Sequence, residues 1–196
     1  MKDFKRPINF NDYIYEAPYQ LSPHFCKQLI KKYEKLYSKH HAGFAGNGVN
    51  LDIKQSEDLN IRHLDEFKVE REILCFTVRK MLQHYANYLG DIHEGYRKIF
   101  YGEFEDNGAQ IQRTSPGGFY SWHSDALGSR YLTYLFYLND VKKKGYTEFC
   151  NGRKIKSRTG KGILFPAQWD FFHRGVAPKE ELKYIATGWL SIKEIK

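Results

Sequence analysis

The chain is short of the features that mark a secreted, membrane-spanning or repetitive protein. Its three cysteines, Cys26, Cys75 and Cys150, are odd in number, lie far apart and form no C-x-x-C pair. That argues against a disulfide framework and fits reduced thiols in a reducing compartment. No apolar run approaches the roughly 18–20 residues of a membrane span. The opening Met1-Lys2-Asp3-Phe4-Lys5-Arg6 has no apolar signal core, so a cytoplasmic protein without a membrane partner is expected. There is no internal repeat and no low-complexity tract. Acidic residues are outnumbered, 23 Asp and Glu against 31 Lys and Arg, and the net charge of +8 favours anionic ligands or partners over cationic ones.

What is abundant is aromatic. Phe, Trp and Tyr make up 16% of the 196 residues, with 15 Tyr and 14 Phe, a composition suited to β-rich packing around a polar-rimmed pocket. The length suits one domain over 1–196 with a sizeable core. Ser22-Pro23 reads as an N-cap followed by proline at the first helical position. Apolar residues at threes and fours then predict an amphipathic helix over 23–38. Residues 40–50, rich in Gly and Asn, read as a mobile loop. A second helix is expected over about 65–89, stopped by Gly90.

From Lys98 the period changes to two. Candidate strands are 98–104, 109–114, 119–125, 130–138, 147–150, 153–156, 162–165, 170–174 and 183–192. Turn signals such as Asp106-Asn107-Gly108 and Pro116-Gly117-Gly118 separate them. The expected fold is α+β: supporting helices over 1–97, then a jelly-roll, or double-stranded β-helix, catalytic core over 98–196.

His123-Ser124-Asp125 and a later His173 carry the chemistry. Two imidazoles and one carboxylate can cover one face of a metal and leave the other open, the ligand set of non-haem Fe(II) oxygenases. Alternate side chains of a strand share a face, so an extended 119–125 would aim His123 and Asp125 the same way. His173 would come from a neighbouring strand. The remaining histidines read as surface or packing residues. Lys183 shares a strand face with Ile185, Thr187 and Trp189, and a cation projecting into a barrel needs an anionic partner.

These segments resemble the prolyl 4-hydroxylase-like branch of the Fe(II)/2-oxoglutarate dioxygenases. The matching stretches are Gly118-Phe119-Tyr120-Ser121-Trp122-His123-Ser124-Asp125, Arg130 to Asn139, Gly145 to Phe149, Lys161 to Pro166, His173-Arg174-Gly175-Val176 and Lys183 to Trp189. The resemblance implies Fe(II), 2-oxoglutarate and O2 as cofactor and cosubstrates, with ascorbate as an accessory reductant. It implies His123, Asp125 and His173 as metal ligands. Lys183 and Tyr137 would hold the distal carboxylate of 2-oxoglutarate, with Thr133 and Trp189 lining its pocket. The carboxylate of Asp125 favours hydroxylation over halogenation. The chain departs from the family nine or ten residues before His123, where a tyrosine is usual and Thr114 and Arg113 stand instead. Gln112 or Thr114 would supply the substitute hydrogen bond, or the substrate side differs.

The substrate implied by resemblance is a peptidyl proline in a peptide or protein, or a related small amino acid, with loop 40–50 as a lid. The alternative is oxidation of nucleic-acid bases. The basic residues Arg153, Lys154, Lys156, Arg158 and Lys161, near Lys142-Lys143-Lys144, would then meet phosphates. A jelly roll that binds without catalysing is a third class. Arg174, beside His173, could clamp a carboxylate or contact substrate, with a surface ion pair as the default reading. Nothing in the sequence speaks to the oligomeric state.

Overall fold

The computed structural model describes residues 4–46, 48–100 and 104–192. In chain order the elements are β1 (Tyr15–Ala17), α1 (Pro23–Lys35), β2 (His41–Ala42), β3 (Phe44–Ala45), β4 (Gly48–Val49) and β5 (Glu57–Asn60). They continue with α2 (Lys68–Ile92), α3 (Gly95–Phe100), β6 (Phe104–Thr114), β7 (Tyr120–His123), β8 (Arg130–Tyr137) and β9 (Thr147–Phe149). The last four are β10 (Lys154–Ile155), β11 (Gly162–Pro166), β12 (His173–Gly175) and β13 (Lys183–Ile192).

Two sheets face each other. The major one runs β1-β11-β8-β13-β6-β5-β2 and the minor one β10-β9-β12-β7, with antiparallel pairing throughout. The strands of the major sheet alternate. Along β8, Leu132, Tyr134 and Phe136 enter the core shared with α1 and α2, whereas Leu135 and Tyr137 join Phe149, Ile155 and Phe165 between the sheets. Helices on one face and a second sheet on the other make an α+β jelly roll. The site lies between the sheets.

Ser22 caps α1 as its sequence predicts: its hydroxyl accepts from Phe25 N at 3.1 Å, and Leu29 and Tyr33 seal the buried face. Other expectations fail for identifiable reasons. Gly90 does not end α2, which continues to Ile92; the Arg97 side chain of α3 lies where a Cβ at 90 would stand, so the glycine permits a close approach. Residues 98–100 belong to α3 rather than to a strand, and 101–103 lie outside the described residues. Asp106-Asn107-Gly108 is not a turn. It is a bulge inside β6, where Asp106 pairs with Leu190 and Ala109 with Gly188, and Gly108 takes φ +87°. The first half is not purely helical either, since β1, β2 and β5 complete the major sheet. Around Asn47, which lies outside the described residues, the glycine-rich stretch forms strand β2 and the β3–β4 hairpin rather than an irregular loop.

Candidate active site

His123 ends β7 and His173 begins β12, directly opposite in register, with ring centroids 4.2 Å apart. Asp125 is not on the strand. It lies two residues past the end of β7, where the Thr133 hydroxyl of β8 donates to its Oδ2 at 2.7 Å. The shared strand face expected of 123 and 125 is therefore replaced by a hydrogen bond from the facing sheet. The three residues still converge. Their ligand atoms lie within 4.8 Å of one another, with Nε2 of His173 3.6 Å from Asp125 Oδ2 and Nε2 of His123 3.8 Å from Oδ1.

The donor set fits a divalent cation. Nδ1 of His123 is 2.8 Å from Ser121 O and Nδ1 of His173 is 3.0 Å from Phe171 O. A carbonyl only accepts, so each Nδ1 must carry the proton and donate it. Both Nε2 lone pairs are then directed at the carboxylate, and two lone pairs with an anion call for a positive charge between them. Burial, then the neighbouring His173, pushes His123 down to about 3, so its ring is neutral. For Asp125, burial opposes ionisation, but His173, His123, the Thr133 hydroxyl and a weaker pull from Trp189 outweigh it and lower its pKa. The indole N–H of Trp189 is buried with no well-formed hydrogen bond of its own. Tyr120 stacks on His123 at 3.5 Å and 15°, and Phe165 meets His173 edge-on, which fixes both rings.

The triad opens into a cavity of about 380 Å³ between the sheets. Lys183, Thr133 and Trp189 line it. Lys183 is 4% exposed, and among the described residues its ammonium has no carboxylate or hydrogen-bond partner, only the Tyr137 ring at 5.7 Å. Burial pushes it down to about 8. A cation so placed suits an anion supplied from outside the chain. Tyr137 lies behind the wall: its hydroxyl donates to Thr147 Oγ1 at 2.7 Å and approaches Ile155 O at 3.3 Å. Thr147 itself reaches the cavity.

Arg113 and Thr114 part company. Arg113 turns to the helix side, bonding Glu34 and Glu57, while Thr114, Gln112 and Gln110 face the cavity. Arg174 makes the expected ion pair, with Glu148 at 2.6 Å, and lies over Trp122. The basic hairpin is largely engaged within the protein. Arg153 donates to the carbonyls of Asn11 and Ile14, Lys154 faces Glu148, Arg158 faces Asp140, and Lys161 faces Glu16.

Sequence reading missed several cavity residues. The Arg130 guanidinium carbon lies 3.5 Å from the centre of the Trp189 ring, and the group has no hydrogen bond or ion pair among the described residues. Lys54 and Asp58 form a buried pair in the wall, 2.6 Å apart, with the Lys54 ammonium 5.0 Å from the Tyr120 ring. An i, i+4 Lys/Asp pair was visible in sequence, but only the fold shows that it faces a cavity.

Residues 109–191 match the 2OG-Fe(II) oxygenase superfamily. That segment spans somewhat less than half of the chain, and the fold as a whole is shared with solved prolyl hydroxylase structures. Three solved structures illustrate the likeness. The viral collagen prolyl hydroxylase of Paramecium Bursaria Chlorella virus-1, in its 2OG complex, is 21% identical, covers 92% of this chain and 97% of its own, and has a TM-score of 0.65. The Pseudomonas putida prolyl-4-hydroxylase is 17% identical, with 91% and 92% covered and a TM-score of 0.64. The Trichoplax adhaerens prolyl hydroxylase, in complex with a hypoxia inducible factor oxygen degradation domain peptide fragment, is 16% identical, with 92% and 84% covered and a TM-score of 0.74. No curated protein sequence matches the chain. Among the described residues, no helix is long and apolar enough to cross a membrane.

Proposed function

We propose that the protein hydroxylates an unactivated C–H bond of a peptidyl proline, or of a closely related residue, at a ferrous centre held by His123, Asp125 and His173. The observation that carries this reading is the convergence of two Nε2 lone pairs and a carboxylate within 4.8 Å, in a cavity that also holds Lys183, a cation without a partner among the described residues. Bound Fe(II) would supply oxidative chemistry driven by decarboxylation of 2-oxoglutarate. The chain's own residues bind and orient. Lys183 takes the distal carboxylate of 2-oxoglutarate, with the Tyr137–Thr147 hydroxyl pair beside it. Thr133 holds Asp125 in place, and Trp189 lines the pocket. Arg130, over the Trp189 ring at the cavity wall, presents its guanidinium to a carbonyl of the substrate. The facing sheets exclude bulk water from the triad.

A peptide is favoured over a nucleic acid because most cations of the basic hairpin already have partners within the protein. The peptide bound in the Trichoplax structure adds support by analogy. Incubation with Fe(II), 2-oxoglutarate and proline-containing peptides should yield succinate and a peptide heavier by one oxygen atom. Succinate production with oligonucleotides, and none with peptides, would sink the reading.

A further inference from the structure

The cavity has a second, polar wing beyond the triad and Lys183. Along β6, Ile111 enters the core on the helix side and Arg113 reaches Glu34 and Glu57, so Gln110 and Gln112 project the other way into the cavity. Gln112 lies in register between Ile185 of β13 and Asp58 of β5, and Gln110 between Thr187 and Asn60. The polar neighbours are already engaged. Asp58 takes the Lys54 ammonium and the Ser56 hydroxyl, Thr187 donates to Tyr134 O, and Asn60 Oδ1 accepts from Arg62 N. Neither glutamine carboxamide has a hydrogen bond to any described residue, although Gln112 is only 8% exposed. Gln112 is buried and Gln110 half-buried, and both carboxamides face the cavity, so they are suited to a partner from outside the chain.

We propose that Gln110 and Gln112 bind the main chain of an extended peptide, making this wing the part of the site that selects peptides over free amino acids. This deepens the hydroxylase reading and rests on it. A carboxamide carries both donor and acceptor, the same complement as a peptide unit. Two of them at i and i+2 on one strand face stand about 6.8 Å apart, the repeat at which an extended peptide turns its amide groups to one side. The chemistry also sorts the ligands. A carboxylate is better met by Lys183 than by neutral amides. A free amino acid offers charged termini but no repeating amide.

The test uses the intact protein loaded with Zn(II) and 2-oxoglutarate, so that nothing turns over. The probes are free proline, N-acetyl-prolinamide, and capped tri- and pentapeptides of alanine with a central proline, with binding followed by calorimetry. Affinity should rise at least about tenfold from the single capped residue to the pentapeptide, a gain of about 1.4 kcal/mol by the usual conversion. Gln110→Ala and Gln112→Ala should each remove most of that gain, and Gln112→Asn should restore part of it. Gln112→Met, which keeps the volume, serves if the alanine variant unfolds early.

The proposal would be overturned by free proline binding as tightly as the pentapeptide, by variants that keep the full length dependence, or by no peptide bound by the wild type. Weaker 2-oxoglutarate binding in Gln112→Ala with peptide affinity intact would instead assign that side chain to the cosubstrate, and would overturn it too. Failure of the wild type to convert 2-oxoglutarate with Fe(II) strikes the hydroxylase reading itself, and is read separately from the length series.

Discussion

Lys54 Nζ lies 2.6 Å from Asp58 Oδ2, with side chains 3% and 1% exposed, in the wall of the cavity and beside the ring that stacks on His123. Such a pair adds little net stability, because desolvation of two charges offsets their attraction. Its consequence is geometric. Lys54 forms a backbone bridge with Tyr120, flanked by Gln55 N donating to Phe119 O and Ser121 N donating to Ile53 O, while Asp58 sits on β5. The ion pair thus joins the exposed edge of the minor sheet to the major sheet across the mouth of the site.

Removing one partner should be far worse than removing both. Asp58→Ala leaves an ammonium buried and unpaired, and should cost about 3–5 kcal/mol of stability. The double variant Lys54→Met, Asp58→Leu should lie within about 1–2 kcal/mol of the wild type, on the expectation that an apolar pair of similar volume replaces an ion pair at little cost. Urea unfolding midpoints decide it. Equal losses in single and double variants would show that the pair itself stabilises the fold.

Thr133 holds Asp125 from the opposite sheet, so its hydroxyl should matter to the metal rather than to the fold. Thr133→Val preserves shape and leaves Asp125 free to turn. Loss of an outer hydrogen bond to a ligand weakens metal binding by about 10–100-fold. Co(II) titration followed by its visible absorption should show this. A dissociation constant unchanged from the wild type would remove Thr133 from the site.

Asp12 sets the acid limit of the N-terminal segment. Its carboxylate takes the Arg6 guanidinium at 2.6 and 2.8 Å, Asn9 N and the Tyr88 hydroxyl of α2, and the hydrogen bond from Arg6 leads in holding its pKa well below the usual carboxylate range. A depressed carboxylate stabilises the folded state above its unfolded pKa of about 4, and that contribution fades as pH falls toward the folded value. Asp12→Asn should therefore be less stable at neutral pH and show a shallower loss of stability below about pH 4. Parallel acid-unfolding curves for variant and wild type would contradict this.

How much could be read in the sequence depended on which force decided each element. β8, β11 and β13 were legible because their alternating aromatic and aliphatic residues match two buried faces. The triad was legible by residue type, though not the route by which Asp125 reaches it. β5 was not: Glu57-Asp58-Leu59-Asn60 has poor strand formers, and it pairs only because Leu59 fills the helix-side core while Asp58 faces a polar cavity. Asp106-Asn107-Gly108 has strong turn chemistry that long-range pairing with β13 overrode, leaving the glycine its positive φ as a bulge. Gly90 stayed helical because Arg97 packs against it, a contact no local pattern encodes.

Lys183 should make cosubstrate affinity depend on pH. Without an anion its ammonium is pushed down to about 8 by burial, so it is mostly charged at pH 7 and mostly neutral at pH 9. The distal carboxylate of 2-oxoglutarate would favour the charged form and raise that pKa. Binding above about pH 8 must then take up a proton, and affinity should fall by up to about tenfold per pH unit until the pKa of the bound state is reached. Calorimetry with Zn(II) in buffers of different ionisation enthalpy measures both the slope and the proton. Lys183→Arg keeps its charge across this range and should abolish the slope even if it binds more weakly, because a guanidinium stays protonated. A wild-type affinity that is flat from pH 7 to 9.5, or a slope that survives in Lys183→Arg, would show that a different group meets the carboxylate.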